Sequence, residues 1–188
     1  MRVIAGEYRR RLLRSLPGME IRPTSDRLRE TLFNVLCAGN PAALAESTWL
    51  DLYAGTGAVG IEALSRGARM VYFVESSNAA AEVIAANLKS LGISVGFQVK
   101  KAETVRALRQ LQEAGTVADF VFLDPPYSMA DEYVKTMTTL ARSTLLRAGS
   151  IVIAEHEKRF DPGEEFGELR RYRKLVQGDA ALSFYRRG

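Results

Sequence analysis

From Trp49 onward, short apolar runs alternate with stretches whose apolar residues recur at helical spacing. Trp49–Leu52 predicts a first strand, and Ala58–Ser65 a helix stopped by Gly67. Met70–Val74 is a second strand ending in Glu75, followed by a helix capped by Ser77 or Asn78 and running to Gly92. Ser94–Val99 and Glu103–Glu113 form the third such pair. Asp119–Leu123 is almost wholly apolar, as a strand covered on both faces must be. A helix over 131–144 leads to a buried strand at Ser150–Ala154, and the tail reads as two strands, 169–176 and 181–186. Seven strands with this alternation require right-handed βαβ units and a mostly parallel, Rossmann-like α/β sheet.

The first forty residues follow another pattern. Val3-Ile4-Ala5 and Leu12-Leu13 flank a run of arginines, which predicts a β-hairpin followed by a turn at Pro17-Gly18. Ile21-Arg22 is extended ahead of Pro23. Thr24 or Ser25 then caps a helix with an apolar face of Leu28, Leu32, Phe33, Val35 and Leu36, ending at Gly39. Arg27, Arg29 and Glu30 fall on its polar side, and Asn40-Pro41 opens a short second helical piece. The expected organisation is one domain, 1–188, with a basic extension over 1–40 and a core over 41–188.

Charge sharpens that division. Residues 1–30 hold eight arginines against four acids, whereas the rest of the chain balances eighteen against eighteen. Arginine suits bidentate contact with phosphate, although a solvated basic hairpin without a partner has the same composition. One cysteine and one histidine provide no ligand set for zinc or an iron–sulfur cluster, and no disulfide. Cys37 reads as a small buried hydrophobe. Neither a signal-like apolar segment nor a membrane-length run is present, so a soluble, cytoplasmic protein is expected.

The chemistry sits at the predicted strand ends. Gly55-x-Gly57-x-x-Gly60, with Glu75 twenty residues after Gly55, matches a nucleotide-binding turn whose acidic residue accepts from ribose hydroxyls. Asp51, four residues before the first glycine, chooses the ligand. A carboxylate there repels a pyrophosphate and attracts an ammonium, which favours S-adenosyl-L-methionine over a nicotinamide dinucleotide. The stretch resembles motif I of class I methyltransferases.

Asp124-Pro125-Pro126-Tyr127 follows the buried fourth strand. Prolines stiffen this loop and fix the Asp124 carboxylate and the Pro125 carbonyl as two acceptors. An exocyclic amine of a base offers two matching donors, and binding both frees its lone pair for attack on a methyl group. Tyr127 provides a face on which an extruded base stacks. The tetrapeptide resembles motif IV of methyltransferases acting on adenine N6 or guanine N2. His156 is not needed as a base, because the amine can release its proton to solvent; Glu155 and Glu157 are expected to hold it as a charged imidazole.

Taken over its whole length, the chain resembles the RsmD family of bacterial methyltransferases, which modify a guanine at N2 in 16S ribosomal RNA. The resemblance rests on Arg2-x-Ile4-x-Gly6, on Arg22-Pro23-Thr24-x-Asp26-Arg27-x-Arg29-Glu30, on Asp51–Gly57, on Glu62–Ala68 and on Asp124–Tyr127. It implies a class I fold with an N-terminal hairpin and helix. Cofactor contacts would come from Asp51, Tyr53, Gly55, Thr56, Gly57, Glu75, Ala102, Glu103 and Asp124. The target guanine would be held by Asp124, Pro125, Pro126 and Tyr127. RNA contacts would come from Arg2, Arg9, Arg10, Arg11, Arg14, Arg22, Thr24 and Arg27, with 16S rRNA in a partly or fully assembled small subunit as the partner. Where the family usually has a glycine between two basic residues, this chain has Arg10. Where the family often has Asp-Ala after the third strand, it reads Ala102-Glu103. The alternatives are an adenine-N6 methyltransferase of DNA or RNA, a non-catalytic RNA-binding module with a cofactor fold, and, more distantly, a dehydrogenase.

Overall fold

A computed structural model describes residues 1–16, 23–126 and 129–188. Its elements in chain order are α1 (Pro23–Leu36), β1 (Thr48–Leu52), α2 (Ala58–Ser65), β2 (Met70–Glu75), α3 (Asn78–Leu91), β3 (Phe97–Lys101), α4 (Thr104–Glu113), β4 (Ala118–Leu123), α5 (Ala130–Ala141), β5 (Leu146–Glu157), β6 (Glu165–Phe166), β7 (Leu169–Gln177) and β8 (Ala180–Arg187). All eight strands form one sheet in the order β3-β2-β1-β4-β5-β8-β7-β6. The five on the β3 side run parallel, and β8, β7 and β6 continue antiparallel beyond β5.

Both faces of the sheet are covered. One apolar cluster joins α1, α2 and α3 to Trp49, Phe73, Phe120 and Phe184. The second joins α4 and α5 to Leu50, Val121, Val152 and Tyr185. Fully buried Trp49 stacks between Phe33 of α1 and Phe120 of β4, with ring centroids 5.4 and 5.1 Å away. Each such ring contributes about 2–3 kcal/mol by leaving water, so this stack, with buried Leu28 and Leu32, holds α1 to the sheet. α3 is bounded as its sequence dictates: the Ser77 hydroxyl accepts from Ala80 N, and Gly92 ends the helix at φ 74°.

The structure departs from the sequence expectation at four places. The sheet has eight strands, because two-residue β6, too short to produce a period, pairs with β7. The basic extension is closed by a single bridge, Arg2 with Leu12, because its backbone groups turn to α2 instead of extending the ladder. Residues 41–46 are turns and not a helix. β3 begins at Phe97, since Gly96 at φ 79° breaks the extended run from Ser94. The turn at Pro17-Gly18, Ile21, Arg22, Tyr127 and the capping side chains of Thr24 and Ser25 lie outside the described residues. Among the described residues, no helix is long and apolar enough to cross a membrane.

Candidate active site

The carboxyl ends of β1, β2, β4 and β5 open into one cleft of about 930 Å³. Parallel strands leave their following loops at this edge, and the cleft forms where the strand order reverses between β1 and β4. Asp51, Gly55, Glu75, Glu103, Asp124 and Pro125 line it, and α1 closes one side with Leu28, Arg29 and Leu32.

The glycine turn is held from both ends. Tyr53, Gly55 and Gly57 have φ of 60°, 55° and 77°, which swings the chain from β1 into α2. Gly60 serves packing: a Cβ there would come within 2.3 Å of the Phe73 ring. The Asp51 carboxylate, 2 % exposed, accepts from Gly60 N at 2.8 Å. Glu75 accepts from Gly55 N and from Ser77 N, each at 2.8 Å. Both acids therefore shape the turn as well as facing the cleft. Thr56 lines the cleft too, while Gly57 lies behind it against Ile84 and Phe73.

The Asp51, Glu75 and Asp124 carboxyls converge here, with Arg29 of α1 on the facing wall. Burial pushes the Asp51 carboxyl up to about 8, the Gly60 hydrogen bond opposes this, and the charges of Asp124 and Glu75 push it further up. Such a site disfavours a pyrophosphate and favours a cationic ligand that also carries hydroxyl donors. Tyr53 stands opposite, its hydroxyl donating to Glu132 at 3.0 Å and 2.7 Å from Thr136 Oγ1, with burial holding its pKa up at about 12. Glu103 reaches the cleft at the start of α4. Ala102 packs in the second apolar cluster, and its N donates to Glu75 O at 3.2 Å. Asp124 is half-buried, Pro125 buried and Pro126 exposed, all three on the cleft wall.

The basic extension docks on α2 and α3. Arg2, Arg9, Arg10, Arg11, Arg14 and Arg27 are exposed, and only Arg11 among them has a described side-chain hydrogen bond, to Ser90 O at 3.0 Å. Arg10 adopts φ 69°, the conformation that the family's usual glycine takes freely.

Three positioning residues escaped the sequence reading. Arg29, expected on the polar side of α1, is 4 % exposed; it donates to Arg2 O at 2.6 Å and to Asp26 at 2.9 Å. It follows Leu28 directly, so the buried face of α1 is one residue wider than its apolar pattern. Glu62 is fully buried on α2, accepting from Ile4 N, Ala5 N and Arg66 Nε; its spacing to Arg66 was the available signal. Asn87 is fully buried on α3 and had no such signal. His156 corrects another expectation: it is buried, with Nδ1 2.8 Å from Glu157 O and Nε2 2.9 Å from Ser183 Oγ. Burial lowers its pKa, so it is a neutral structural imidazole and not a charged one. No group of three His, Cys, Asp or Glu that could hold a metal exists among the described residues.

A sheet of this order with a cleft of this kind defines the class I methyltransferase fold. The family described as conserved hypothetical protein 95 matches residues 1–186, and the chain belongs to it, the family identified from the sequence as RsmD. The putative rRNA methyltransferase YlbH of Bacillus subtilis is 33% identical over 188 residues, covering 100% of this chain and 99% of its own. Ribosomal RNA small subunit methyltransferase D of Escherichia coli K12 is 31% identical, covering 100% and 90%. Among solved structures, the putative methyltransferase yhhF of Escherichia coli superposes with a TM-score of 0.84 at 29% identity, covering 100% and 97%. The Thermus thermophilus 16S rRNA N2-guanine methyltransferase RsmC, in complex with AdoMet and guanosine, shares the fold at a TM-score of 0.72 and 20% identity, covering 92% of this chain and 45% of that one.

Proposed function

We propose that this chain transfers a methyl group from S-adenosyl-L-methionine to the exocyclic N2 of a guanine in 16S rRNA of the small ribosomal subunit. The observation that carries the reading is one cleft shared by Asp51 and Glu75, which suit a cationic nucleoside, and Asp124-Pro125-Pro126, which suit an amine. The names of the Bacillus and Escherichia relatives support rRNA as substrate, and the second supports the small subunit. Guanine N2 is supported by the RsmD resemblance and by the substrate of the Thermus neighbour.

When bound, S-adenosylmethionine supplies a methyl group activated on a sulfonium. Asp51 holds a carboxylate where the ammonium of the methionine portion is favourable, and Glu75 offers acceptors for ribose hydroxyls. Asp124 and the Pro125 carbonyl accept from the two N2 protons and turn the nitrogen lone pair out of conjugation. By the RsmD resemblance, Tyr127 would offer its ring to the extruded base. N2 would take the methyl as the sulfonium's S–CH3 bond breaks to leave a neutral thioether, and the N2 that becomes cationic would give one proton to solvent. The chain works as one domain, its 1–40 extension supplying the arginines that hold rRNA and its 41–188 core the chemistry. Its partner is 16S rRNA in a partly or fully assembled small subunit, in the cytoplasm.

The test is nucleoside mass analysis of 16S rRNA from a strain lacking this protein, before and after incubation with purified enzyme. The expected gain is one N2-methylguanosine; N6-methyladenosine instead would replace guanine with adenine in the reading. Asp124→Ala should abolish transfer while lowering cofactor affinity far less, and retained transfer would remove Asp124 from its role.

A further inference from the structure

Balanced charge over residues 31–188 conceals a second basic surface. β7 and β8 carry Arg170, Arg171, Arg173, Lys174, Arg186 and Arg187, and the alternation of a strand sorts them between two faces. On the face shared with Tyr185, acids neutralise every cation. Arg171 pairs with Asp161 and Glu164 at 2.6 and 3.0 Å, Lys174 with Asp161 at 3.2 Å, and Arg187 with Glu168 at 3.2 Å.

The other face, on the side of α1, is different. Arg173 lies opposite Phe184, and Arg186 follows two residues beyond Phe184 on the same strand. Both are exposed, and neither has an ion pair among the described residues. Between them stands Tyr172, 45% exposed, with the Arg186 guanidinium 4.4 Å from its ring centroid. Alternation from Arg171 puts Tyr172 on the side of Phe184, 6.2 Å between ring centroids, and the bulge between Arg171 and Arg173 is what keeps Arg173 on that side as well. Arg170 sits directly across from Arg186 and is neutralised by Glu165, which leaves Arg173 and Arg186 as the cations of this face without an acid among the described residues.

We propose that Tyr172, Arg173 and Arg186 form a second RNA-contacting surface, on which an unpaired base stacks against the Tyr172–Arg186 pair and the two guanidiniums hold flanking phosphates. An aromatic ring bracketed by unneutralised arginines fits single-stranded RNA, whose backbone supplies the charge and whose bases supply the stack. The surface lies on the sheet face that also builds one wall of the cleft. Leu182 of β8 lines the cleft, Leu175 of β7 pairs with it, and Tyr172 lies three residues further along. α1, bearing exposed Arg27, packs on this same side. The bound RNA thus runs from the basic extension past the cleft to the β7–β8 edge. This deepens the rRNA methyltransferase reading and rests on it.

The test measures binding of naked 16S rRNA by fluorescence anisotropy, with Arg109→Gln/Arg142→Gln on the opposite side of the sheet as a charge-matched control. Arg173→Gln/Arg186→Gln should weaken binding about tenfold at 0.1 M salt and flatten its salt dependence by about two charges. Tyr172→Ala should weaken it about fivefold without altering the salt slope, because stacking is neutral. Cofactor affinity and melting temperature should not move. An Arg173→Gln/Arg186→Gln variant that binds no more weakly than Arg109→Gln/Arg142→Gln overturns the proposal. So does a loss seen only with assembled subunits and not with naked rRNA, which would make the partner a ribosomal protein. Wild-type methyl transfer separates the two readings: transfer with unaffected variants sinks this surface alone, whereas RNA binding lost in the variants of a wild type that transfers nothing sinks the methyltransferase reading alone.

Discussion

Asn87 and Arg14 are bound to each other in both directions. The buried carboxamide accepts from Arg14 N at 2.7 Å and donates to Arg14 O at 3.2 Å. Its Nδ2 also donates to Thr56 O at 3.0 Å. One side chain on α3 therefore ties the basic extension to the glycine turn, so order in either segment favours order in the other.

Removing that tether should cost both segments. Asn87→Ala leaves Arg14 N and Thr56 O without this partner, a loss on the order of 3 kcal/mol. Urea denaturation should show it, and calorimetry should show weaker binding of S-adenosylmethionine. Asn87→Asp keeps the bond from Arg14 N and should recover part of the stability. Cofactor affinity equal to wild type in Asn87→Ala would show that the Thr56 bond does not shape the turn.

Gly6 makes the docking seam equally specific. At φ 81°, a Cβ would lie 1.8 Å from Ser65 O. Around it, Ser65 O accepts from Glu7 N at 2.8 Å, and Ser65 Oγ donates to Ala5 O at 2.6 Å. Gly6→Ala should release the extension while leaving the sheet folded. Trypsin should then cut the run from Arg9 to Arg14 at least several times faster, with the far-ultraviolet circular dichroism unchanged. An unaltered cutting rate counts against the seam.

How far these features were legible depends on their period. The alternation from Trp49 onward is local, so β1, β2, β4 and β5 fall within a few residues of their predicted places, apart from the longer β5. Asp51, Glu75 and Asp124 were legible because each ends or interrupts an apolar strand at a fixed distance from a turn. Arg29, Glu62 and Asn87 were not. Beyond the local pairs Asp26–Arg29 and Glu62–Arg66, their partners are backbone groups far along the chain, such as Ile4 N for Glu62 and Arg14 for Asn87, and no spacing in a single sequence encodes those meetings. The β7–β8 surface was hidden for a similar reason: net charge is a sum, and a sheet separates the same residues by face.

The Arg10 departure from the family pattern has a measurable cost. A side chain at φ 69° carries strain that glycine does not, about 1 kcal/mol. Arg10→Gly should raise the melting temperature by about 2–4 °C. The same change removes one exposed charge and should weaken rRNA binding modestly, with a salt slope shallower by about one charge. A lower melting temperature would mean that the arginine side chain stabilises the turn by more than the strain costs.

Asp51 should make both stability and cofactor affinity depend on pH, in opposite senses. Its carboxyl is pushed up to about 8 from 3.8, chiefly by burial. Between those values the ligand-free folded protein keeps a proton that the unfolded chain has lost, so this group's contribution to stability falls as pH rises through the window. Asp51→Asn abolishes that slope and should stabilise the ligand-free protein near pH 8. A cationic ligand has the reverse effect on the carboxyl. It favours the ionised form, so binding below pH 8 expels a proton and affinity should climb with pH, by up to about tenfold per unit. Above about pH 8 the ammonium of the methionine portion begins to lose its own proton, and the gain should stop. Calorimetry of S-adenosylmethionine binding from pH 6 to 9, in buffers of different ionisation enthalpy, reads both the affinity and the proton released. Asp51→Asn should bind more weakly, with the acid limb gone. A wild-type affinity flat from pH 6 to 8, with no proton released, would remove Asp51 as the partner of the ammonium and leave it only its bond to Gly60.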